Sequence, residues 1–572
     1  MNKWQQLSEG DEIIEGASVP SPPSSSSVLS PPSKMKYNRN KHNNDINDQD
    51  FGELITINFS DDIPDTDNHN SDSKNNSSVC GATMNFINSI VGAGIIGIPY
   101  AIGQCGFFMG VIMLILIAYL INRSVIMLIE CGLEKGKLDL EELCEHLLGI
   151  KGYYLSLTSM MMFAIGGMIA YLVIYGDTMP YVLNAILASY DVTVSRELVM
   201  CISATFIILP LCLMKNLESL EWTSSFSVIS DIALALIVAI GAPAAAAQQG
   251  IKMESSQLAF ARSTIFAGMG TISFAFVCQH NSFLVFRSLK EPTQKTWTKV
   301  AHGSLMVSFS ICCTFGLAGY LNFLDQTRGN VLDNFSDSDR TISVARFFLA
   351  ICMILTFPME CFVARHCLLS IMNKYYTSIS TTTTTTNNNY SSEGSILKRV
   401  VDIFSSSSKS SSYTSKKLAS EDTNDDNSRS IVMNTLHSKN DNIQTTEEKD
   451  ENGMDNNENT FNILDSTPAR IAVTVFLWAS TLIVSIIAND LSIVLALTGC
   501  LAASFLGYII PGLVYIKTYD CEFHQMINSI INNHTISFIS IIKFGLPLFM
   551  IIFGLLSLVI GVTTVIFFDP NE

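Results

Sequence analysis

The stretch NSIVGAGIIGIPYA at residues 88–101 decides how the fold is interpreted, because it does not suit the segment that contains it. The segment, residues 80–103, is an apolar run long enough to form a membrane helix. Within eight residues, however, the stretch holds Gly92, Gly94, Gly97 and Pro99. Non-helical backbone is tolerated in hydrocarbon only where protein or a wet cavity bonds its polar groups. The stretch is therefore either a kink packed against a neighbouring helix or a place where freed backbone groups meet a ligand.

The composition places the whole chain in the membrane class. Of the 572 residues 48% are hydrophobic and 15% are charged, and the mean hydropathy is +0.33. Apolar windows near the roughly 20 residues that span a bilayer core predict about eleven transmembrane helices. We number them spans 1 to 11, with the bounds 81–103, 106–129, 153–176, 197–214, 220–241, 263–286, 300–322, 342–364, 468–488, 491–515 and 543–567.

The net charge of −17 resides mainly in two polar segments. Residues 1–78 hold 6 Lys and Arg against 13 Asp and Glu, and residues 375–467 hold 8 against 14. Both segments have few large apolar residues and cannot bury enough surface to offset their ordering entropy. We expect them to be disordered and cytosolic, separating spans 1–8 (79–374) from spans 9–11 (468–572). Because the membrane body is close to neutral, the acidity indicates solvated segments, and no nucleic acid partner is expected.

Basic residues predict the orientation. With a cytosolic amino terminus, the short cytosolic loops hold ten Lys and Arg and the opposite loops hold five, as the positive-inside rule requires. In this orientation the sequon at Asn334 lies in a far-side loop and is a candidate glycosylation site.

A second interruption occurs in span 6. Its sequence, STIFAGMGTISFAFVCQHNSFLVF, has Gly268 and Gly270 early and the polar run Cys278 to Ser282 later. Spans 1 and 6 open two successive blocks of five helices, and matching interruptions in two halves point to an inverted-repeat transporter with a midplane site. A half-helix amino terminus would offer N–H groups to a carboxylate, and the carbonyl ends of the break would suit a cation. The sequence has no Walker-type loop, nucleophile elbow or metal-ligand spacing, so neither an enzyme nor a primary pump is expected.

Four motifs carry a resemblance to a known family. GATMNFINSIVGAGIIGIPYAIGQCGF, SFAFVCQHNSFLVFRSLKEPT, GNVLDNFSDSD and LTFPMECFVAR resemble the amino acid/auxin permease family, which includes sodium-coupled neutral amino acid transporters and fungal vacuolar amino acid transporters. The resemblance implies an all-α LeuT-type fold of about eleven helices, ten of them in two inverted five-helix repeats. It implies no cofactor beyond a coupling ion, H+ or Na+, and an amino acid as the partner inside a lipid bilayer.

The same resemblance places the site at the two interruptions. The unwound part of span 1 would hold the substrate's amino and carboxylate groups, and span 6 would form a second wall. On this chain the candidates are Ser89, Ile90, Val91, Gly92, Ala93 and Gly94 from span 1 and Phe274, Phe276 and Cys278 from span 6. For the span 6 aromatics, a packing or lipid-facing role is the alternative.

Four residues are candidates for ion coupling. Asn88 and Thr356 match the positions that sodium-coupled relatives use for the ion, and oxygen ligands suit a hard cation; they are equally open to a role in helix contacts. Asp231 lies midway along span 5, where a carboxylate is costly and faces a partner or a wet cavity. A structural hydrogen bond is its alternative role. His280 is the other titratable candidate near the interruption of span 6. Glu360 and Arg365 flank the end of span 8, where we expect anchoring or pairing.

These features predict a secondary active transporter of neutral amino acids that works by alternating access. The alternative is an amino-acid-sensing receptor that signals through residues 1–78 to a cytosolic regulator. The polar segments favour a vacuolar or lysosomal membrane, where a proton would be the coupling ion. In the plasma membrane it would be sodium.

Overall fold

The computed structural model describes residues 77–187, 190, 193–214, 221–252, 258–336, 339–385, 467–488, 490–531 and 538–567. In chain order the helices are α1 (Val79–Ile90), α2 (Gly94–Cys105), α3 (Phe107–Lys135), α4 (Leu140–Leu187), α5 (Arg196–Leu213), α6 (Glu221–Gln248), α7 (Ile265–Phe276), α8 (Gln279–Ser288), α9 (Gln294–Phe323), α10 (Arg340–Thr385), α11 (Thr467–Ile487), α12 (Leu491–Thr518), α13 (Asp520–Ile531) and α14 (Lys543–Phe567). The expected all-α class is confirmed.

Ten of the eleven predicted spans appear among the described residues as membrane-length apolar elements. Nine are single helices, and the tenth is the pair α1 and α2, which bends by 54°. The last two predicted spans, 491–515 and 543–567, correspond closely to α12 and α14. Span 6 is divided into α7 and α8, of 12 and 10 residues, so neither reaches bilayer length alone.

Both predicted interruptions are therefore present. The helix of span 1 stops at Ile90 and resumes at Gly94, and that of span 6 stops at Phe276 and resumes at Gln279. The polar residues that begin α8 explain why span 6 is less apolar than the others.

The four half-helices pack in two pairs. In the first pair α2 lies against α7, where a Cβ on Gly268 would lie 2.5 Å from the Ala101 carbonyl oxygen. Only glycine permits so close an approach of two helix backbones, as is common between membrane helices. In the second pair α1 lies against α8, and Ser77, just before α1, bonds through its backbone to Ser288 and Lys290. Each interruption thus joins a half-helix of one pair to a half-helix of the other.

The outer surface is apolar, as expected for a bilayer as solvent. Phe206 on α5, Ile240 on α6 and Phe476 on α11 are 75%, 78% and 63% exposed. Large apolar side chains at such exposure would be unusual on a water-facing surface and are ordinary against lipid.

The expected polar segments lie largely outside the described residues. Residues 1–76 and 386–466 are not described, and α10 continues to Thr385, past the boundary expected at 374. The disorder and cytosolic position of both segments stay predictions.

Candidate functional site

The interruption of span 1 leaves a helix terminus without a side-chain cap. Val91, Gly92 and Ala93 connect α1 to α2, and Ala93, at the N-cap of α2, offers no side-chain hydrogen bond. The first N–H groups of a helix lack intrahelical acceptors, and the helix dipole is positive at this end. The start of α2 can therefore receive a carboxylate, while the last carbonyls of α1 can receive a cation.

The interruption of span 6 is anchored by one buried side chain. Gln279 is 0% exposed, and its Oε1 accepts a hydrogen bond of 3.1 Å from the Cys278 backbone N–H. Its Nε2 donates to Ser124 Oγ on α3 at 3.0 Å. Both ends of the amide are thus used to hold the freed backbone of the break against a neighbouring span.

A hydrogen bond joins the two interrupted spans directly. Asn281 Nδ2 donates to Ser89 Oγ at 3.2 Å, and it also lies 3.0 Å from His280 Nε2. Because an amide nitrogen can only donate, His280 Nε2 accepts in this arrangement. The second residue of α8 is therefore connected, through Asn281, to the last turn of α1.

Glu360 of α10 lies beside His280. Its Oε1 is 3.7 Å from His280 Nε2, and the two side chains are 11% and 1% exposed. Among the described residues, Glu360 Oε2 and His280 Nδ1 have no hydrogen-bond partner. A Cβ on Gly167 of α4 would lie 3.6 Å from Glu360 Cγ, in ordinary van der Waals contact, so this glycine packs beside the carboxylate.

Aromatic rings enclose the same region. The ring of Phe163 on α4 lies 5.2 Å from that of Phe274 and 5.1 Å from that of His280. About two turns further along α4, Tyr171 Oη would lie 3.2 Å from a Cβ on Gly92. The site therefore has apolar walls that face both interruptions.

The predicted substrate residues divide between this site and the core. Ser89, Gly92 and Phe274 contact the residues just described. Ile90, Val91, Ala93 and Gly94 are buried beside them at the first interruption. Cys278 lies within the second interruption and is fully buried. Phe276 does not share a face with Phe274, because two residues turn a helix by about 200°. The single wall of Phe274 and Phe276 expected from the sequence is thus split over two faces of α7.

The sodium candidates make separate contacts. Asn88 Nδ2 donates to Ser224 Oγ on α6 at 3.4 Å, and Thr356 Oγ1 donates to the Cys352 carbonyl of its own helix at 2.7 Å. The oxygen of each side chain still has lone pairs for a cation. Their role as sodium ligands stays a prediction.

Asp231 faces the bundle interior rather than lipid. It is 3% exposed and lies within electrostatic range of Tyr171 on α4, Cys312 on α9 and Cys352 on α10. Tyr171 is also within range of Glu360. Asp231 and Glu360 therefore both interact electrostatically with Tyr171. The role of Asp231 in ion coupling stays a prediction.

Sequence reasoning missed three members of the site. Phe163 and Tyr171 are ordinary aromatics within an apolar span, and Glu360, a carboxylate inside predicted span 8, is expected from the sequence only to anchor or pair. A carboxylate within a membrane helix is by itself a signal of function. That signal was used for Asp231 and applies equally to Glu360.

The two ends of the bundle differ. Where α2 ends, a polar cavity of 470 Å³ is lined by residues of α2, of the segment after α9 and of the start of α12, among them Tyr100, Gln104, Asp325, Arg328 and Asp490. At the opposite end, ion pairs join α4 to α8 and α10: Arg287 to Asp139 at 2.9 Å, His366 to Glu141 at 3.3 Å and Lys374 to Glu145 at 2.7 Å. One end of the bundle thus contains a vestibule lined by polar residues, and at the other end ion pairs close the helices against one another.

Asn334, the predicted glycosylation site, is used within its own segment. Its Oδ1 accepts from the Arg328 backbone N–H at 2.9 Å, its Nδ2 donates to the Gln326 carbonyl at 2.7 Å, and the residue is 7% exposed. A glycan would have to be attached before these bonds form, and the modification stays a prediction.

Comparison with known proteins agrees with this site. A family model described as transmembrane amino acid transporter protein matches residues 75–567. The chain belongs to this family. The resemblance seen in the four motifs is therefore confirmed, and the family's function in amino acid transport agrees with the expected absence of an enzymatic role.

Two relatives show how far the similarity extends. The mouse protein with the provisional name sodium-coupled neutral amino acid transporter 11 is 35% identical over 297 residues, which are 50% of this chain and 64% of that protein. Vacuolar amino acid transporter 2 of Saccharomyces cerevisiae is 36% identical over 289 residues, 50% of this chain and 60% of that protein. Each match thus covers less than two thirds of the relative.

Solved structures are similar at low identity. A Na+-coupled sialic acid symporter in a substrate-bound outward-open state is 12% identical, with a TM-score of 0.44 over 87% of this chain and 91% of that chain. MhsT in complex with L-phenylalanine is 12% identical, with a TM-score of 0.46 over 85% of this chain and 100% of that chain.

Proposed function

We propose that this protein is a secondary active transporter that moves neutral amino acids through the site between the two interruptions. One observation carries the proposal: Asn281 bonds to Ser89, so the interruptions of spans 1 and 6 meet in one buried place. Family membership indicates an amino acid as the substrate, and the geometry of the two interruptions provides a site that suits an amino acid.

The recognition follows from the helix ends. The uncapped start of α2 offers N–H groups and positive potential to the substrate carboxylate. The carbonyl ends of α1 and α7 offer acceptors to its ammonium group. Phe163 and Phe274 give the side chain an apolar surface, which favours a neutral substrate over a charged one.

Alternating access is supported by the pairing of half-helices. The pair α1–α8 lies toward the end closed by ion pairs, and the pair α2–α7 lies toward the vestibule. Rocking of one pair against the other would open the site to each side in turn, which is the usual motion in transporters with a midplane site. The driving gradient is of protons or sodium.

We place the protein in a vacuolar or lysosomal membrane with its amino terminus cytosolic. The vacuolar name of the yeast relative and the excess of basic residues in the loops of that side support this placement.

The test is uptake by the purified full chain in liposomes. Labelled neutral amino acids are offered under a pH gradient and then under a sodium gradient, and the Gly92→Phe variant serves as the blocked control. A phenylalanine there would occupy the space beside Tyr171 Oη, only 3.2 Å from the new Cβ. We expect uptake that follows one of the gradients and is absent from the variant. If neither the unmodified protein nor the variant takes up amino acid although both are monodisperse, the proposal of a transporter is refuted.

A further inference from the structure

The pair of His280 and Glu360 is unsatisfied as it stands. An ionised carboxylate that is 11% exposed and lacks hydrogen bonds is costly in a membrane protein. At 3.7 Å, Oε1 and Nε2 are too far apart for a hydrogen bond and close enough for a strong charge interaction. With one proton shared between them the pair has a net charge of zero, either as two neutral groups or as an ion pair.

We propose that His280 and Glu360 together hold the coupling proton of transport, and that protonation of His280 exchanges its contact with Asn281 for one with Glu360. The inference rests on the proposed function and names the residues that connect the ion to the substrate site.

The exchange follows from the hydrogen-bond arrangement. In neutral His280, Nε2 accepts from Asn281 Nδ2. A proton that arrives on Nε2 turns this atom into a donor, so two donors face each other and the bond to Asn281 is lost. The new N–H is then free to turn to the carboxylate of Glu360. When the proton leaves Nε2 for the other side, the N–H bond and its hydrogen bond to Glu360 are lost, and Nε2 again accepts from Asn281.

Asn281 transmits this change to the substrate site. The same amide nitrogen donates to Ser89 Oγ, in the last turn before the interruption of span 1. Reorienting Asn281 therefore alters the side-chain hydrogen bond that joins α8 to α1 at the interruptions. The half-helices thus adopt one arrangement when His280 is protonated and a different one when His280 is neutral.

The groups that surround His280 and Glu360 favour this pair as the centre that binds the proton. The other titratable groups that act on it are Tyr171 from α4 and Cys367 from α10, and Asp231 from α6 acts on Tyr171. From α1 the pair is approached by neutral Asn88 and Ser89. Arg365, on the same helix as Glu360, donates to the Cys212 carbonyl and to Thr474 Oγ1, each at 3.1 Å.

The experiment separates coupling from binding. Full-length protein in liposomes is assayed for exchange of labelled against unlabelled amino acid without a gradient, and for accumulation under a pH gradient. Exchange needs the site and its motion, whereas accumulation also needs the proton. The variants are Glu360→Gln and His280→Gln, and Glu522→Gln is the matched control because it removes the same charge from an exposed ion pair with Lys543.

We expect Glu360→Gln and His280→Gln to lose accumulation by at least about tenfold and to keep exchange within about twofold, as for a change confined to one step. Their exchange rate should lose the pH dependence that the unmodified protein shows. Glu522→Gln should behave as the unmodified protein, and Glu360→Asp should retain accumulation with a shifted pH profile.

Four results would overturn the inference. Accumulation by both neutral variants at the level of the unmodified protein would show that the proton travels elsewhere. Parallel loss of exchange and accumulation in monodisperse variants would assign the pair to substrate binding. Accumulation of the unmodified protein under sodium alone would leave the proposed function standing without the proton, whereas absence of exchange in the unmodified protein would refute both.

Discussion

A Cβ atom on Gly94 would lie 2.6 Å from the Cβ of Ala275 and 3.0 Å from its backbone nitrogen. The first residue of α2 therefore contacts the backbone of α7 with no space for a side chain. The two spans approach this closely at the point where span 1 resumes. The geometry of the site therefore requires a residue without a side chain, glycine, at position 94. Gly92 differs, because what lies near it is the end of a tyrosine side chain.

This contact predicts that Gly94→Ala abolishes transport. The backbone of Ala275 cannot yield as a flexible side chain can, and overpacking of this kind costs about 1–3 kcal/mol or more. We expect uptake at the level of empty liposomes and a lower melting temperature in detergent. Gly545→Ala is the control, because a Cβ there would meet nothing within 4 Å. Normal uptake by Gly94→Ala would mean that α2 and α7 separate more easily than their contact indicates.

The ion pair of Asp139 and Arg287 predicts a pH-dependent closure at the end opposite the vestibule. Burial raises the pKa of Asp139 to about 6, and the Arg287 guanidinium opposes that rise. A raised carboxyl pKa means that the folded state gains stability from this group below the unfolded pKa of about 3.9 and loses it as the pH rises through 6. The charge pair itself exists above pH 6 and is lost on acidification.

Because protonation of a group with a raised pKa favours the folded state, we expect the backbone around Asp139 to exchange hydrogen more slowly at pH 5.5 than at pH 7.5, after correction for intrinsic rates. The factor should be about fourfold, since lowering the pH to half a unit below a pKa of about 6 stabilises the folded state by a little under about 1 kcal/mol. In Asp139→Asn the exchange should be equally fast at both values. An unchanged pH response in this variant would assign the effect to Glu141 and His366 instead.

The interruptions could be predicted from the sequence because glycine, proline and polar residues are local signals within an apolar run. Residues that meet across the bundle could not. Nothing in the sequence around Phe163 or Tyr171 indicates that these rings face the interruptions, because α4 is apolar on every side. The partner of His280 is likewise hidden: Glu360 is 80 residues away in the chain, and only the packing of both α10 and α8 on α4 brings it within 3.7 Å. Local periodicity defines spans, whereas tertiary packing defines which polar groups share a site.

Thr356 distinguishes the two candidate ions. Its hydroxyl donates to the Cys352 carbonyl of its own helix at 2.7 Å. Losing the hydroxyl leaves that carbonyl with its bond inside the helix alone and does not change how the helices pack. We expect Thr356→Val to remove any stimulation by sodium and to keep uptake driven by pH within about twofold. Uptake is measured with sodium replaced by choline as the baseline. Loss of the pH-driven component as well would place Thr356 in the proton pathway or in the structure of the site.

Gln279 carries the last prediction, on the stability of the second interruption. Gln279→Leu would leave the Cys278 N–H and the Ser124 hydroxyl without their buried partner. Each buried polar group that loses its partner costs about 1–3 kcal/mol. We expect a melting temperature several degrees lower in detergent and a slower exchange rate in liposomes, because the freed backbone of the interruption is no longer held to α3. Gln248→Leu is the matched control, since this exposed residue ends α6. Equal melting temperatures for the two variants would mean that other groups hold the interruption in place.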